Sequence, residues 1–314
     1  AAFGRCLATP IHAPHDVPPF ANSAMDGYAL RDADLPATGE RGFRLVGRRV
    51  AGDTRPLVIG PGECAGITTG AVLPQGTDSV VIKENVRLDG QTVFVRAGEP
   101  AGANVRPAGE DILEGHVALR AGQLLRPQDI ALMAALGLTR VEVRRRLRVA
   151  VFSTGNEVVS PGSPRGAAQL FDSNRFMMTA MLKRLGCDVS DLGILKDDRA
   201  SLASGLKDAA AHHDLILTSG GVSTGEEDHV KAAVESVGTL VLWRMAIKPG
   251  RPVAMGIVDG TPLIGLPGNP VASFVTFTYV VRPIVLALAG TVQRNPVPMP
   301  VRAAFNYTKK AGRR

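Results

Sequence analysis

Between residues 147 and 290, short apolar runs alternate with segments of helical length. Runs at 147–152, 188–195, 214–218 and 240–246 predict strands, and 173–185, 201–211 and 229–237 predict the helices between them. A hairpin at 253–266 turning at Asp259-Gly260, and a helix at 271–289, close the unit. Alternation of this kind requires βαβ crossovers, so the region predicts an α/β fold around a mostly parallel sheet. The longest apolar stretch, 271–289, is interrupted by Ser273, Thr276, Thr278, Arg282 and Pro283, which predicts a buried helix and not a membrane span.

Three of these strands end in small polar turns: STGNE (153–157), TSGG (218–221) and LPGNP (266–270). In a parallel sheet such ends share one edge, where a crevice forms and ligands bind. One glycine turn is ordinarily only a turn; three on one edge make Ser153, Thr154, Gly155, Ser219, Gly220, Gly221, Pro267, Gly268 and Asn269 candidates for anion binding. TSGG runs on through Ser223 into Glu226, Glu227 and Asp228. Carboxylates repel a phosphate unless a divalent cation lies between them, so the run predicts metal-assisted phosphate chemistry. Glu157, Asp197, Asp198 and Asp228 follow successive strands. Neighbouring Asp197 and Asp198 cannot both face inward, and Asp198 also suits a helix cap, so Asp228 and Glu157 rank first. Lys248 and Arg251, in AIKPGRP, suit a phosphate or oxyanion.

The first half of the chain predicts short strands at 43–50, 66–69, 79–87 and 92–96, with Asp89-Gly90 as a hairpin turn, and one helix at 127–136. PPFANSAMDGYAL (18–30) and AGEDILEG (108–115) carry Asp26 and Asp111, which spacing alone cannot bring to the crevice. A Pro-rich NPVPMP linker follows Gly290. Lysine and arginine outnumber acidic residues by 36 to 29. The run Arg144, Arg145, Arg146 and Arg148 has no interleaved aromatics, so a solvated face is favoured over nucleic-acid binding, while the surplus suits a polyanionic substrate. Cys6, Cys64 and Cys187 form neither a disulfide framework nor a zinc signature. With no signal-peptide pattern at the start, a cytoplasmic protein is expected.

Taken in order, PPFANSAMDGYA, AGEDI, STGNEV, FDSNR, LGILKDD, TSGGVSTGEEDH, IKPGRP and GLPGNPVAS resemble the molybdopterin molybdenumtransferase family, MoeA in bacteria and the E domain of gephyrin in animals. The resemblance covers nearly the whole chain. It implies a discontinuous, elongated dimerisation domain (1–31 and 106–145), an inserted β-rich domain (32–105), a molybdopterin-binding three-layer α/β domain (146–290), and a linker with the start of a truncated C-terminal β-barrel (291–314). The family's extreme N-terminal helix and most of that barrel would then be missing, and such a chain would bind pterin yet catalyse poorly.

The resemblance also implies a reaction: adenylated molybdopterin is cleaved at its phosphoanhydride and takes up molybdate, giving molybdenum cofactor and AMP with Mg²⁺ present. It implies a cytoplasmic homodimer, with a molybdopterin adenylyltransferase upstream in the pathway. By motif, Asp228, Asp111, Glu157, Asp26 and Lys248 become catalytic candidates. Asp228, Glu157 and Asp197 become the metal set, and Arg244, Arg251 and the turn residues, with Ser223, the substrate contacts. Arg244 stands where bacterial relatives carry Lys, and Ala21 replaces a frequent Asp. The rivals are a molybdopterin adenylyltransferase, a single-domain protein that would not need PPFANSAMDGYA, and a gephyrin-like non-catalytic scaffold.

Overall fold

The computed structural model describes residues 2–221, 229–245, 247, 249–292, 299–306 and 308. The described residues fall into two compact units: one made of Pro10–Arg120 and Ala131–Thr139, the other of Ala1–Thr9, Ala121–Ile130 and Arg140–Arg314.

The first unit is built on six strands: β1 (Gly27–Leu30), β2 (Glu40–Arg49), β3 (Glu63–Ile67), β4 (Ser79–Ile82), β5 (Val86–Asp89) and β6 (Thr92–Arg96). They lie in the order β4-β1-β3-β2-β6-β5, antiparallel except between β2 and β3. Leu30, Phe43, Cys64, Val81, Val93 and Val95 close one core against this sheet. The strand expected at 79–87 is split, because the polar Lys83–Asn85 forms a 3₁₀ turn whose Lys83 N–H bonds to the Asp26 carbonyl at 3.2 Å, outside the ladder. The sheet also begins ahead of residue 32, at Gly27. The stretches flanking it pair with each other: Ile11–His12 with Val117–Leu119, and Asn22–Ser23 with Val105–Arg106. Helix α1 (Pro127–Ala135) follows, starting at its proline.

The second unit is the alternating region. Its elements are β7 (Arg148–Thr154), β8 (Val158–Val159), β9 (Leu170–Phe171), α2 (Asn174–Arg184), β10 (Asp188–Leu195), α3 (Arg199–His212), β11 (Leu215–Ser219), α4 (His229–Val237), β12 (Gly238–Arg244), β13 (Pro252–Val258), β14 (Thr261–Leu266), α5 (Pro270–Thr276) and α6 (Arg282–Leu288). Six strands form one sheet in the order β10-β7-β11-β14-β13-β12. The first four are mutually parallel and the last two join antiparallel.

The period of two along a strand sorts the core into two layers. Val149 and Val151 of β7 join Met178 and Leu182 of α2 and Val285 of α6 on one face. Ala150 and Phe152 join Leu202 and Leu206 of α3 and Val230 and Val234 of α4 on the other. Because both faces are covered, the central strands are continuously apolar, as their sequences required.

The segment expected as one buried helix at 271–289 departs from that reading. It is α5, a π turn at Phe277–Val281, then α6. Pro283 has no N–H to donate and its ring crowds the carbonyl four residues back, and the helix widens just ahead of it. Only 39% of its most apolar window is buried, with Val271, Phe274 and Tyr279 facing outward. By length and composition it passes for a membrane span. Yet Phe277, Val281 and Val285 belong to the core under the sheet, which marks it as the amphipathic outer layer of the domain.

Part of the arginine run is structural. Asp214, at the start of β11, accepts bonds from Arg145 (2.8 Å) and from the side chain (3.0 Å) and backbone (2.9 Å) of Arg148, tying the start of β7 to its neighbour. These bonds, foremost that from Arg145, hold the Asp214 carboxyl well below the usual carboxylate range. A depressed carboxyl stabilises the fold above its unfolded pKa of about 3.9, and this contribution is lost as pH falls through the folded value. Asp214→Asn is expected to lower stability by about 1.5–3 kcal/mol at pH 7. Urea unfolding of both proteins should show that difference shrinking as the pH is taken below 4 or so.

Candidate functional site

The three glycine turns share an edge because their strands are neighbours in register: Ser153 lies beside Ser219, and Ser219 beside Leu266. Strand β7 runs two residues further than its apolar pattern predicts, so Ser153 and Thr154 are strand residues, buried at the crevice floor. The hydroxyls of Ser153, Thr154 and Thr218 are buried and find no hydrogen-bond partner among the described residues. Such groups cost stability unless a ligand or water satisfies them. Gly220 turns the chain at φ +89°, where a Cβ would stand 2.3 Å from the Thr154 carbonyl oxygen. Only glycine lets the two turns close on each other there.

Asn174, the first residue of α2, holds the edge together. Its amide nitrogen donates to Ser219 Oγ at 2.7 Å and to the Gly268 carbonyl at 2.8 Å. Asn269 caps α5 by accepting from the Ala272 N–H at 3.1 Å, and the Ser273 hydroxyl donates to the Pro267 carbonyl. The N-termini of α2 and α5 therefore both open at the crevice, where the positive ends of their dipoles favour an anion, although Asp172 takes the Arg175 N–H of α2 and Asn269 the Ala272 N–H of α5. The wall beside them is anchored by Asp172, whose carboxylate pairs with buried Arg175 at 2.8 Å; Arg175 in turn reaches Asp191 on β10.

Of the residues anticipated from sequence, Ser153, Thr154, Glu157, Ser219, Gly220, Gly268 and Asn269 line this crevice. Its volume is about 410 Å³, room for far more than a single oxyanion. Glu157 is exposed and folds over Gly155, where a Cβ would meet its Oε2 at 2.7 Å. Gly221 packs on Val230, and Pro267 contributes its pinned carbonyl. Asp197 is half-buried after β10 and is not among the lining residues. Asp198 is the cap of α3, accepting from the Ser201 N–H at 2.9 Å. Arg244 and Arg251 are exposed at the link between β12 and β13, away from the crevice lining. Asp228, Ser223 and Lys248 lie outside the described residues. Among the described residues no three His, Cys, Asp or Glu side chains gather to hold a metal, so Glu157 and Asp197 do not form such a group by themselves.

Asn174 and Asp172 were not singled out as site residues from sequence. Their signal was the FDSNR segment at the head of α2, where Asp172 takes the Arg175 N–H at 3.2 Å and Asn174 braces two turns. In the other unit, the exposed Asp26 carboxylate accepts from the Thr69 N–H (2.8 Å) and hydroxyl (2.9 Å). These bonds hold it below the usual carboxylate range. Asp111 pairs with Arg106 at 2.7 Å.

Residues 1–137 match the family described as the MoeA N-terminal region (domain I and II), and residues 150–287 match a probable molybdopterin binding domain. The chain is 40% identical over 315 residues to a molybdopterin molybdenumtransferase of Haemophilus influenzae, covering 99% of this chain and 77% of that protein. It is 36% identical over 311 residues to one from a Nostoc species, covering 96% and 71%. The solved molybdopterin biosynthesis MoeA protein from Pyrococcus horikoshii superposes with a TM-score of 0.78 at 28% identity, covering 93% of this chain and 73% of that one. The chain belongs to the molybdopterin molybdenumtransferase family, as its ordered motifs indicated. A single-domain adenylyltransferase would leave the match over residues 1–137 without a counterpart.

The close approach at Gly220 yields a direct test. Gly220→Ala should destabilise the protein by at least about 1–3 kcal/mol through its positive φ alone, with the clash on Thr154 adding to that. Thermal unfolding should show it as a lowered midpoint, whereas alanine at Gly268, where nothing lies within 4 Å of a Cβ, should change little.

Proposed function

We propose that this chain inserts molybdenum into molybdopterin, acting on the adenylated form: the phosphoanhydride is cleaved, molybdate passes to the dithiolene, and molybdenum cofactor and AMP are released. The observation that carries this reading is the convergence of the unpartnered Ser153 and Thr154 hydroxyls with the N-termini of α2 and α5 on one crevice. Hydroxyls and the positive ends of two helix dipoles together suit a phosphate ester, and fixed dipoles stabilise charge developing at the bond that breaks. The basic balance of the chain, formally +7, favours a polyanionic substrate.

Mg²⁺ fits the donor chemistry in one respect. This ion is held through one or two carboxylates with substrate phosphates and waters, and Glu157 brings a carboxylate beside unpartnered hydroxyls. Glu157, with Asp228 as chief ligand and Asp197 further out, would hold it. Bound there, the ion would neutralise charge on the phosphoanhydride. Lys248, Arg244 and Arg251 would draw in molybdate. Ser219, Gly220, Gly221 and Ser223 would hold the pterin phosphate, with Gly155, Pro267, Gly268 and Asn269 shaping the cleft. A cytoplasmic homodimer belongs to the same proposal, with Asp26 and Asp111 contributed by the partner copy; that part rests on the family's organisation. So does a molybdopterin adenylyltransferase as the supplier of substrate.

The test is to incubate purified protein with adenylated molybdopterin, Mg²⁺ and molybdate and to measure AMP by chromatography. AMP release should require molybdate, and Asp228→Asn should lower its rate by about a hundredfold or more. Pyrophosphate released from ATP and free molybdopterin, with no molybdate-dependent AMP, would assign the chain to the adenylyl-transfer step instead.

A further inference from the structure

The crevice has an apolar side that phosphate binding does not use. Strands β8 and β9 form a small parallel pair in which Val158 lies opposite Leu170 and Val159 opposite Phe171. Registered partners share a face, and successive residues alternate. Val158 and Leu170 therefore stand on one face of the pair, and both line the crevice. Leu170 is 53% exposed, and Phe171, at the rim, is 46% exposed. Single exposed apolar residues are ordinary on a protein surface and carry no message. Here the setting differs in two ways.

First, this wall is held in place. The Leu170 N–H bonds to the Glu157 carbonyl at 2.8 Å, the Asp172 N–H to the Val159 carbonyl at 2.8 Å, and the Val158 N–H to the Gly155 carbonyl at 3.1 Å. The buried Asp172–Arg175 pair then fastens the end of β9 to α2. Leu170 is thus presented by a braced ladder. Second, the wall faces a crevice whose floor is polar: the hydroxyls of Ser153 and Thr154, and Asn174 Oδ1, are buried and find no partner among the described residues. One side suited to an anion and one fixed apolar side together define a ligand with a charged end and a flat, weakly hydrated body.

We propose that Leu170, with Val158 behind it and Phe171 at the rim, is the platform on which a planar heterocycle of the substrate lies while its phosphate is held at the Ser153–Thr154 floor. This deepens the functional reading above and rests on it. Adenylated molybdopterin carries two such heterocycles, the pterin and the adenine, and both offer the flat face the platform needs. Leu170 would be a positioning residue, acting on binding and leaving the bond-breaking step alone.

The experiment compares wild-type protein with Leu170→Asp and Leu170→Met, using AMP and free molybdopterin as separate probes by equilibrium titration. Because Leu170 is 53% exposed, neither variant should disturb folding, which circular dichroism checks. Leu170→Asp should weaken one probe by about tenfold or more, and Leu170→Met should restore it. The probe that weakens names the ring on the platform. In turnover, the KM for adenylated molybdopterin should rise by the same factor with kcat unchanged, the signature of lost uniform binding. If wild type binds a probe and Leu170→Asp binds both probes as wild type does, the platform is wrong and the functional reading stands. If wild type binds neither probe, the functional reading fails and the platform falls with it.

Discussion

One amide group holds the crevice in shape. Asn174 sits at the head of α2, but its nitrogen is shared between the Ser219 hydroxyl on β11 and the Gly268 carbonyl in the turn after β14. Buried and charge-free, it spans two turns just past the last registered pair, Ser219 and Leu266, where a single further backbone bond, from the Gly220 N–H to the Leu266 carbonyl at 3.2 Å, also joins them. Without it a buried hydroxyl and a carbonyl would lose their donor, at about 1–3 kcal/mol for each unsatisfied group. Everything described of the crevice follows from that hold: the start of α2 at its rim, the capped start of α5 across from it, and the floor of hydroxyls between.

Much of this was legible in the sequence because burial on both faces leaves so simple a mark. A strand covered above and below must be apolar without interruption, and β11 lies within a residue of where composition put it; the edge strand β10, largely exposed, and helix α4 were placed as closely by the alternation of apolar runs with helical lengths. The shared edge of the three glycine turns followed from parallel order alone. Less visible was anything depending on which partner a polar residue finds. Ser153 and Thr154 looked like turn residues, yet β7 carries them as strand, since register with β10 and β11 continues past the last apolar residue. Arg145 and Arg148 looked like solvated charge, yet Asp214, far along the chain, engages both. Asn174 gave no signal beyond its place in the FDSNR segment.

Position relative to the crevice was harder still. Arg244 and Arg251 sit on the same sheet edge as the glycine turns, at the end of β12 and the start of β13, on the far side of β14 from β11 and outside the crevice lining. Asp197 and Asp198 show how adjacent carboxylates divide: one caps α3, and the other keeps an oxygen buried and unpartnered.

The π turn ahead of Pro283 has a consequence for phase. Each residue of an α-helix advances about 100° around the axis, so one extra residue in a wider turn rotates all that follows relative to what came before. Here it lets one continuous segment answer to two masters: its first turns aim Asn269 and Ser273 at the crevice loop, while its last bring Val285 under the sheet. A regular helix of the same sequence would satisfy one end and misdirect the other. The irregularity thus works as a gear between the ligand-facing and core-facing halves of the domain's outer layer.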